Sequence, residues 1–142
     1  MKLKLIRDLD GIPYLLRWTL FNFRGYSLKL HVFLKSDLDR GNALHDHPWK
    51  FKTFILLGGY WEHTAEGRFW RPPGYFGGGD ANYFHRVELD RYPVDHEDSP
   101  GDEKLAVTLF FTYPREKEWG FNCKQGWKEA NKFHREGGCG DD

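Results

Sequence analysis

The sequence contains few of the residues that mark several common protein classes. Its 142 residues include two cysteines, Cys123 and Cys139, one methionine and five alanines. Because neither cysteine belongs to a CxxC pair, they predict no disulfide framework, and we expect a reduced, cytoplasmic protein. Lysine and arginine number 21, as do aspartate and glutamate, so the formal net charge is zero. This balance argues against a basic nucleic-acid-binding module and against a polybasic membrane anchor.

Long hydrophobic runs are also lacking. No segment of the sequence approaches the roughly 18 uncharged apolar residues that a transmembrane helix needs. Residues 1–11, MKLKLIRDLDG, lack the apolar stretch of a secretory signal peptide. We therefore expect neither a membrane nor a nucleic acid among the partners of this protein.

Aromatic residues are abundant instead. Phenylalanine, tyrosine and tryptophan account for 12, 7 and 6 positions, and glycine and proline for 16 and 7 more. Glycine and proline together make up only about 12% of an average protein, so turns are unusually frequent in this chain. Few good helix formers and many aromatic residues predict an all-β domain. The chain length is that of about one domain.

Short strand-like runs, separated by turn residues, predict a single sandwich or barrel over residues 1–136. The predicted strands are 3–9, 12–22, 26–34, 49–57, 60–64, 68–72, 82–89, 105–113 and 119–122. Residues 127–136 could form a short terminal helix, and residues 137–142, GGCGDD, are expected to form a disordered tail.

Three further segments are predicted to be loops. Residues 36–44 are polar, and residues 73–79, PGYFGGG, are typical of a mobile hairpin turn. The glycine-rich segment does not lead from a strand into a helix, so a phosphate-binding function is not expected. Residues 90–104 are acidic and contain prolines, which predicts an exposed loop.

Three histidines form the main candidate site. His45 and His47 lie in LHDHPW, and residues i and i+2 of a strand point to the same face. His85 follows 38 residues after His47, on another predicted strand. Three neutral imidazoles on rigid strands suit Zn, Fe, Ni or Cu and leave coordination positions open. The alternative is that two surface histidines are spaced by two without binding a metal.

The order of these residues resembles the cupin superfamily of jelly-roll barrels, the RmlC-like fold. In the first cupin motif a glycine precedes His-x-His, and a glutamate and a closing glycine follow. His45 and His47 match the two histidines, Gly59 matches the closing glycine, and Lys52 then stands at the glutamate position.

The second cupin motif matches more loosely. Gly67 and Pro73 fit its opening glycine and proline, and His85 fits its histidine. The stretch from Pro73 to His85 is longer than in the motif, and Leu89 stands at its asparagine position. The resemblance covers roughly residues 28–113. The pieces HDHPW, PPG, HRV and EWGF also resemble a group of short, poorly characterised cupins from bacteria and phages.

This resemblance implies a jelly-roll barrel that binds a divalent metal through His45, His47 and His85, as the three-His cupin dioxygenases hold Fe(II). Zn, Ni and Mn are the other candidate metals. The resemblance also implies a small-molecule substrate. Because cupin barrels commonly pair through edge strands, it implies a homodimer as well.

Lys52 is the main departure from the cupin motif. A protonated lysine has no lone pair for a metal ion, so the barrel either relies on three histidines or no longer holds metal. The sequence leaves open whether Lys52 or its neighbours Phe51 and Thr53 face inward. An inward Lys52 could bind an anionic substrate as a point charge. Glu62 could replace the missing carboxylate from a neighbouring strand.

Three functions compete at this point. The first, which we favour, is a metal-dependent dioxygenase-like enzyme. The second is a metal-free sugar-nucleotide isomerase or epimerase, in which His45 or His47 acts as the base and Tyr60 as the acid. The third is a non-catalytic barrel that binds a small molecule. Arg71 could clamp a carboxylate or phosphate at the barrel mouth, and His31 is expected to be an ordinary strand residue.

Overall fold

The computed structural model describes residues 2–7, 11–37, 44–92, 102–124, 126–136 and 138–139. The helix is α1 (Ala130–Glu136), and the strands are β1 (Lys2–Arg7), β2 (Pro13–Phe23), β3 (Tyr26–Phe33), β4 (Leu44–His45), β5 (Phe51–Leu57), β6 (Tyr60–Thr64), β7 (Gly67–Arg71), β8 (Phe76–Gly79), β9 (Arg86–Leu89), β10 (Ala106–Thr112), β11 (Gly120–Cys123) and β12 (Gly126–Glu129). The prediction of an all-β chain with a short C-terminal helix is confirmed. Over these residues, no helix has the length and apolar character needed to cross a membrane.

The strands form three antiparallel sheets. The large sheet has six strands in the order β1-β2-β3-β10-β5-β8. Two smaller sheets have the orders β12-β11-β4 and β7-β6-β9. Because β10 lies between β3 and β5, the large sheet joins strands from both ends of the chain. The interior is therefore assembled from contacts between residues that are far apart in sequence.

Side chains of β5 alternate between the interior and the solvent, as expected when successive residues of a strand point to opposite faces. Phe51, Thr53 and Ile55 are buried, whereas Lys52 between them is exposed. Lys52 therefore lies on the outer face of the large sheet, where its Nζ is 5.9 Å from the centre of the Phe76 ring. The question that the sequence left open is answered in favour of Phe51 and Thr53.

Two hydrophobic clusters form the described core. One joins the sheets and comprises Ile55, Tyr60, Val87, Leu89 and Ala106. The other packs α1 against β11, and there the rings of Phe121 and Phe133 stack with their centres 3.7 Å apart. Aromatic side chains thus supply much of the volume of the second cluster.

The two cysteines form a disulfide bond, which corrects the expectation of a reduced chain. The reason is that α1 turns the end of the chain back onto β11, where Cys139 meets Cys123. The Gly138 N–H donates to the Phe133 carbonyl at 2.9 Å, and Lys128 Nζ donates to the Gly138 carbonyl at 2.7 Å. Gly138 and Cys139 are therefore fixed although a disordered tail was predicted there; the rest of that tail lies outside the described residues.

The glycine-rich segment 73–79 begins with a turn, but its second half forms a strand where a mobile turn was predicted. Its strand, β8, pairs with β5, and Gly78 stands opposite Lys52. A Cβ atom at Gly78 would lie 2.3 Å from the Phe51 carbonyl oxygen, so this close approach of the two backbones requires glycine. Pairing with a long neighbouring strand overrides the low strand propensity of glycine.

The two polar loops are described only in part. In the acidic segment, Arg91 and Glu103 pair in a single β-bridge, so the described ends of this predicted loop are joined to each other. Residues 93–101 and residues 38–43 lie outside the described residues.

Candidate metal centre

Backbone pairing places His45 beside His85. The short strand β4 pairs with β11 on one side. On the other side His45 and His85 form an antiparallel bridge, with N–H to carbonyl distances of 3.0 and 2.9 Å. His47 follows two residues after His45, and the centres of these two rings are 5.3 Å apart.

The three imidazole rings converge at one place. The ring centre of His85 is 4.9 Å from that of His45 and 4.9 Å from that of His47. One nitrogen atom of each ring lies within 4.8 Å of the corresponding atoms of the other two rings. The structure thus brings together the three histidines proposed from the sequence, and this trio could hold a metal ion.

The chemistry of His47 fits a metal ligand. Its Nδ1 is buried and has no hydrogen-bond partner among the described residues. Burial, reinforced by the neighbouring rings of His85 and His45, holds the pKa of His47 well below its usual value. A neutral imidazole keeps a lone pair for coordination, and a divalent ion would give the buried Nδ1 atom the partner that it lacks. The donor set therefore fits a divalent ion that accepts nitrogen ligands.

Glu62 orients His85 rather than standing in for the missing carboxylate ligand. Its Oε2 is 2.7 Å from His85 Nδ1, and its Oε1 accepts a hydrogen bond from Arg71 Nε at 3.0 Å. Burial opposes the negative charge of Glu62, but its contacts with His85 and Arg71 outweigh burial and lower its pKa. An ionised Glu62 accepts the Nδ1 proton, so His85 Nε2 keeps the lone pair that a metal requires.

The three residues predicted to act on a substrate occupy different places. Tyr60 lines the cavity described below and is only 4% exposed. Burial, followed by the charge of Glu62, raises the pKa of Tyr60, so its hydroxyl stays protonated. Arg71 reaches the histidines through Glu62. Lys52 is exposed on the outer face and forms no part of the cavity wall.

Asp46 anchors the His-x-His segment to the C-terminal sheet. Its fully buried carboxylate accepts hydrogen bonds from the Gly120 N–H at 2.6 Å and from Trp127 Nε1 at 3.0 Å. It also forms an ion pair with Lys117. The positions of the two histidines on either side of Asp46 therefore depend on β11, β12 and the segment that precedes them.

A cavity of about 380 Å³ opens beside the three histidines. Its walls are largely aromatic and include Tyr14, Phe33, Trp49, Phe51, Phe110 and Trp119. The Trp49 ring stacks on His47, with the two ring centres 5.2 Å apart. A cavity of this size and lining suits a small molecule that has an apolar part.

Sequence reasoning missed Arg17 and took His31 for an ordinary strand residue, yet both line this cavity. Arg17 Nε donates a hydrogen bond to His31 Nε2 at 3.1 Å. Burial, followed by the charges of Arg17 and Lys29, lowers the pKa of His31 to about 3, so His31 is neutral and can accept. The sequence could have indicated an inward Arg17, because Leu15 and Arg17 are two residues apart in a strand and therefore share one face.

No model of a protein family matches the sequence, and no curated protein matches it. Solved structures do match. One is a cupin-2 domain protein from Rhodospirillum rubrum, with a TM-score of 0.60 and 14% sequence identity, covering 88% of this chain and 77% of that chain. This chain has the cupin fold. The predicted jelly-roll architecture of that superfamily is thereby confirmed.

Two other solved structures share this fold. KdgF from Halomonas sp. matches with a TM-score of 0.53 and 11% identity, over 81% of this chain and 90% of that chain. The Fe(II) form of HppE matches with a TM-score of 0.55 and 12% identity, over 79% of this chain and 57% of that chain. At these identities the likeness establishes the architecture alone and assigns no reaction to this chain.

Proposed function

We propose that this cupin is a small metal-dependent enzyme in which His45, His47 and His85 hold one divalent ion. The convergence of one nitrogen atom from each ring within 4.8 Å carries this proposal. We propose Fe(II) as the ion and a dioxygenase-like reaction on a small molecule as the activity, with Zn, Ni or Mn as the other metals. The choice of iron is supported by HppE, which shares the fold and whose structure contains Fe(II).

An Fe(II) ion held by the three histidines would supply a redox-active Lewis acid with coordination positions left open for a substrate. The protein's own residues define the surroundings. Glu62 fixes the orientation of His85, and Trp49 packs against the ring of His47. The largely aromatic walls lower the local dielectric constant beside the histidines, which strengthens electrostatic interactions there.

A metal-free isomerase-like or epimerase-like cupin is the second candidate, and the position of Tyr60 favours it. The protonated hydroxyl of Tyr60 lines the same cavity as His45 and His47. It could therefore act as an acid while His45 or His47 acts as a base.

Metal content distinguishes these functions. We would purify the full-length wild type, His47→Ala and His63→Ala side by side, load each with Fe(II), Ni(II) or Zn(II), and measure bound metal by mass spectrometry. His63 is a matched control because it lies on β6 and contacts Glu88 at 2.8 Å, outside the histidine trio. We expect near-stoichiometric metal in the wild type and His63→Ala, little metal in His47→Ala, and similar melting temperatures for all three.

Equal metal in the wild type and His47→Ala would contradict the three-histidine site. A wild type that binds no metal even in excess would exclude the metal-dependent enzyme. Binding of a sugar nucleotide by that metal-free protein would then favour the isomerase, and its failure to bind one would favour the non-catalytic barrel.

A further inference from the structure

Two cationic side chains lie next to each other on the inner face of the large sheet. Arg17 stands opposite His31, and Thr19 stands opposite Lys29, in the pairing of β2 with β3. Arg17 and Lys29 are therefore diagonal neighbours on one face, at a spacing that long side chains can bridge. Burial, followed by the charge of Arg17, lowers the pKa of Lys29 to about 8.

Neither cation has an acidic partner among the residues that the structure describes. Arg17 donates to the neutral His31, and Lys29 Nζ lies 5.4 Å from the centre of the Trp49 ring. Asp37 is the one acidic residue in the described wall of the cavity, and its carboxylate accepts the Val87 N–H at 2.7 Å. Two partly buried like charges without a counter-charge are unfavourable, and a bound anion would offset their repulsion.

Arg17 and the candidate metal centre border the same cavity, and Lys29 lies beside this wall without being part of it. Lys29 lies over the Trp49 ring, and that ring lines the cavity and stacks on His47. Thr108 also lines this cavity, opposite His31 in the pairing of β10 with β3. Thr108 is 1% exposed, and its hydroxyl has no hydrogen-bond partner among the described residues. A buried hydroxyl without a partner is rare in proteins and points to a ligand atom at this position.

We propose that Arg17 and Lys29 bind the anionic group of the substrate, a small molecule with an apolar body and one carboxylate or phosphoryl group. The planar guanidinium of Arg17 can bind two oxygen atoms of such a group, and Lys29 adds a point charge. The Thr108 hydroxyl accepts or donates a hydrogen bond to a polar atom of the same molecule. The placement of this molecule beside the metal centre rests on the proposed function, but the anion site itself requires no metal.

Chelator-treated, metal-free protein of full length tests the anion site separately from the metal centre. Isothermal titration calorimetry would measure binding of benzoate, phenyl phosphate and benzamide, which share an aromatic ring and differ in charge. The variants are Arg17→Gln, which keeps an N–H donor for His31, Lys29→Gln, and Arg115→Gln as the matched control. Arg115 is exposed and pairs with Glu118, away from the cavity.

We expect benzoate or phenyl phosphate to bind the wild type and Arg115→Gln at least tenfold more tightly than benzamide does. The tighter of the two identifies the anionic group as carboxylate or phosphoryl. Arg17→Gln should remove this tenfold preference, and Lys29→Gln should reduce it several-fold, without changing the affinity for benzamide. Circular dichroism and thermal melting establish whether each variant is folded. If Arg17→Gln does not fold, the result for Lys29→Gln tests the anion site.

Equal affinity of the wild type for all three compounds, or no binding of any of them, would overturn the anion site. So would an anion preference that survives both substitutions in folded protein. These results do not depend on metal. A wild type that prefers the anions through Arg17 but never binds metal would refute the proposed enzyme and leave the anion site intact.

Discussion

Glu62 decides which nitrogen atom of His85 faces the proposed ion. It accepts a hydrogen bond from His85 Nδ1–H, and Arg71 on its other side helps to keep the Glu62 carboxylate ionised at neutral pH. A metal-ligating histidine is usually held in this way by a carboxylate, which fixes the ring and makes the coordinating nitrogen more basic. Glu62 is therefore a positioning residue for the site.

We expect Glu62→Gln to weaken metal binding about 10- to 100-fold while the protein stays folded. The amide has no negative charge to stabilise the proton on His85 Nδ1, so the ring is less basic and less firmly oriented. Competition with a chromophoric chelator measures the affinity.

Two control variants accompany this measurement. Glu88→Gln removes a carboxylate that contacts His63 and Arg68 on the neighbouring strand, and it should leave the affinity unchanged. Lys52→Glu restores the acidic residue of the cupin motif, but on the exposed outer face, so it too should have no effect. Unaltered affinity in Glu62→Gln, or tighter binding in Lys52→Glu, would show that the roles assigned to these residues are wrong.

The pair of His45 and His47 could be predicted because a spacing of two is a local property of the sequence, although β4 ends at His45 and His47 lies just beyond it. The inward direction of Phe51 and the outward direction of Lys52 could not, since Pro48 interrupts the chain just before β5 and obscures the alternation. The contact of Glu62 with His85 depends on the pairing of β6 with β9, and that register is set by the whole fold. No single segment of sequence contains this information.

At the level of elements, the long strands were predictable and the short ones were not. Strand β6 matches its predicted range, and β10 differs from its prediction by one residue at each end. By contrast, β4 has two residues and exists because β11 pairs with it on one side and His85 on the other. Strand β8 consists largely of glycine and depends on its pairing with β5. Strands that are stabilised mainly by pairing with their neighbours have little strand-forming pattern in their own sequence.

The disulfide between β11 and the end of the chain should contribute measurably to stability. It joins residues separated by 16 positions, and closing a loop of that size restricts the unfolded chain by about 3 kcal/mol. We expect Cys123→Ser with Cys139→Ser to lower the free energy of unfolding by about 2–4 kcal/mol in urea denaturation.

Reductant provides the control for that measurement. It should destabilise the wild type to the level of the double variant and leave the double variant unchanged. If reductant and substitution both leave the free energy of unfolding of the wild type unaltered, the bond does not stabilise this fold.

At the scale of the whole molecule, strand β1 forms one edge of the large sheet and is largely exposed. Strand β1 pairs only with β2 among the described strands, and its side chains are almost all exposed. Leu3 and Leu5 on β1 are 62% and 41% exposed, and Trp18 on β2 is 41% exposed. We propose that a second copy of the chain covers this edge and forms a homodimer, because an edge strand that exposes leucine side chains can pair with another strand.

Sedimentation velocity should give about twice the mass of one chain for the wild type. Leu5→Lys places a charge on the edge strand and should shift the protein to monomer at micromolar concentration. Leu57→Lys is the matched control, since Leu57 is 63% exposed at the end of β5, inside the same sheet. A monomeric wild type, or a dimer that withstands Leu5→Lys, would contradict pairing through β1.

The hydrogen bonds of Asp46 limit which part of the chain could be moved to another protein with the candidate metal centre intact. A fragment ending at Tyr113 would retain every residue of the two cupin motifs, yet it would lack Lys117, the Gly120 amide and the Trp127 indole. The carboxylate between the two histidines would then be a charge without partners, which strongly destabilises a buried site. Grafting the His-x-His motif onto another barrel would therefore require moving the C-terminal sheet with it.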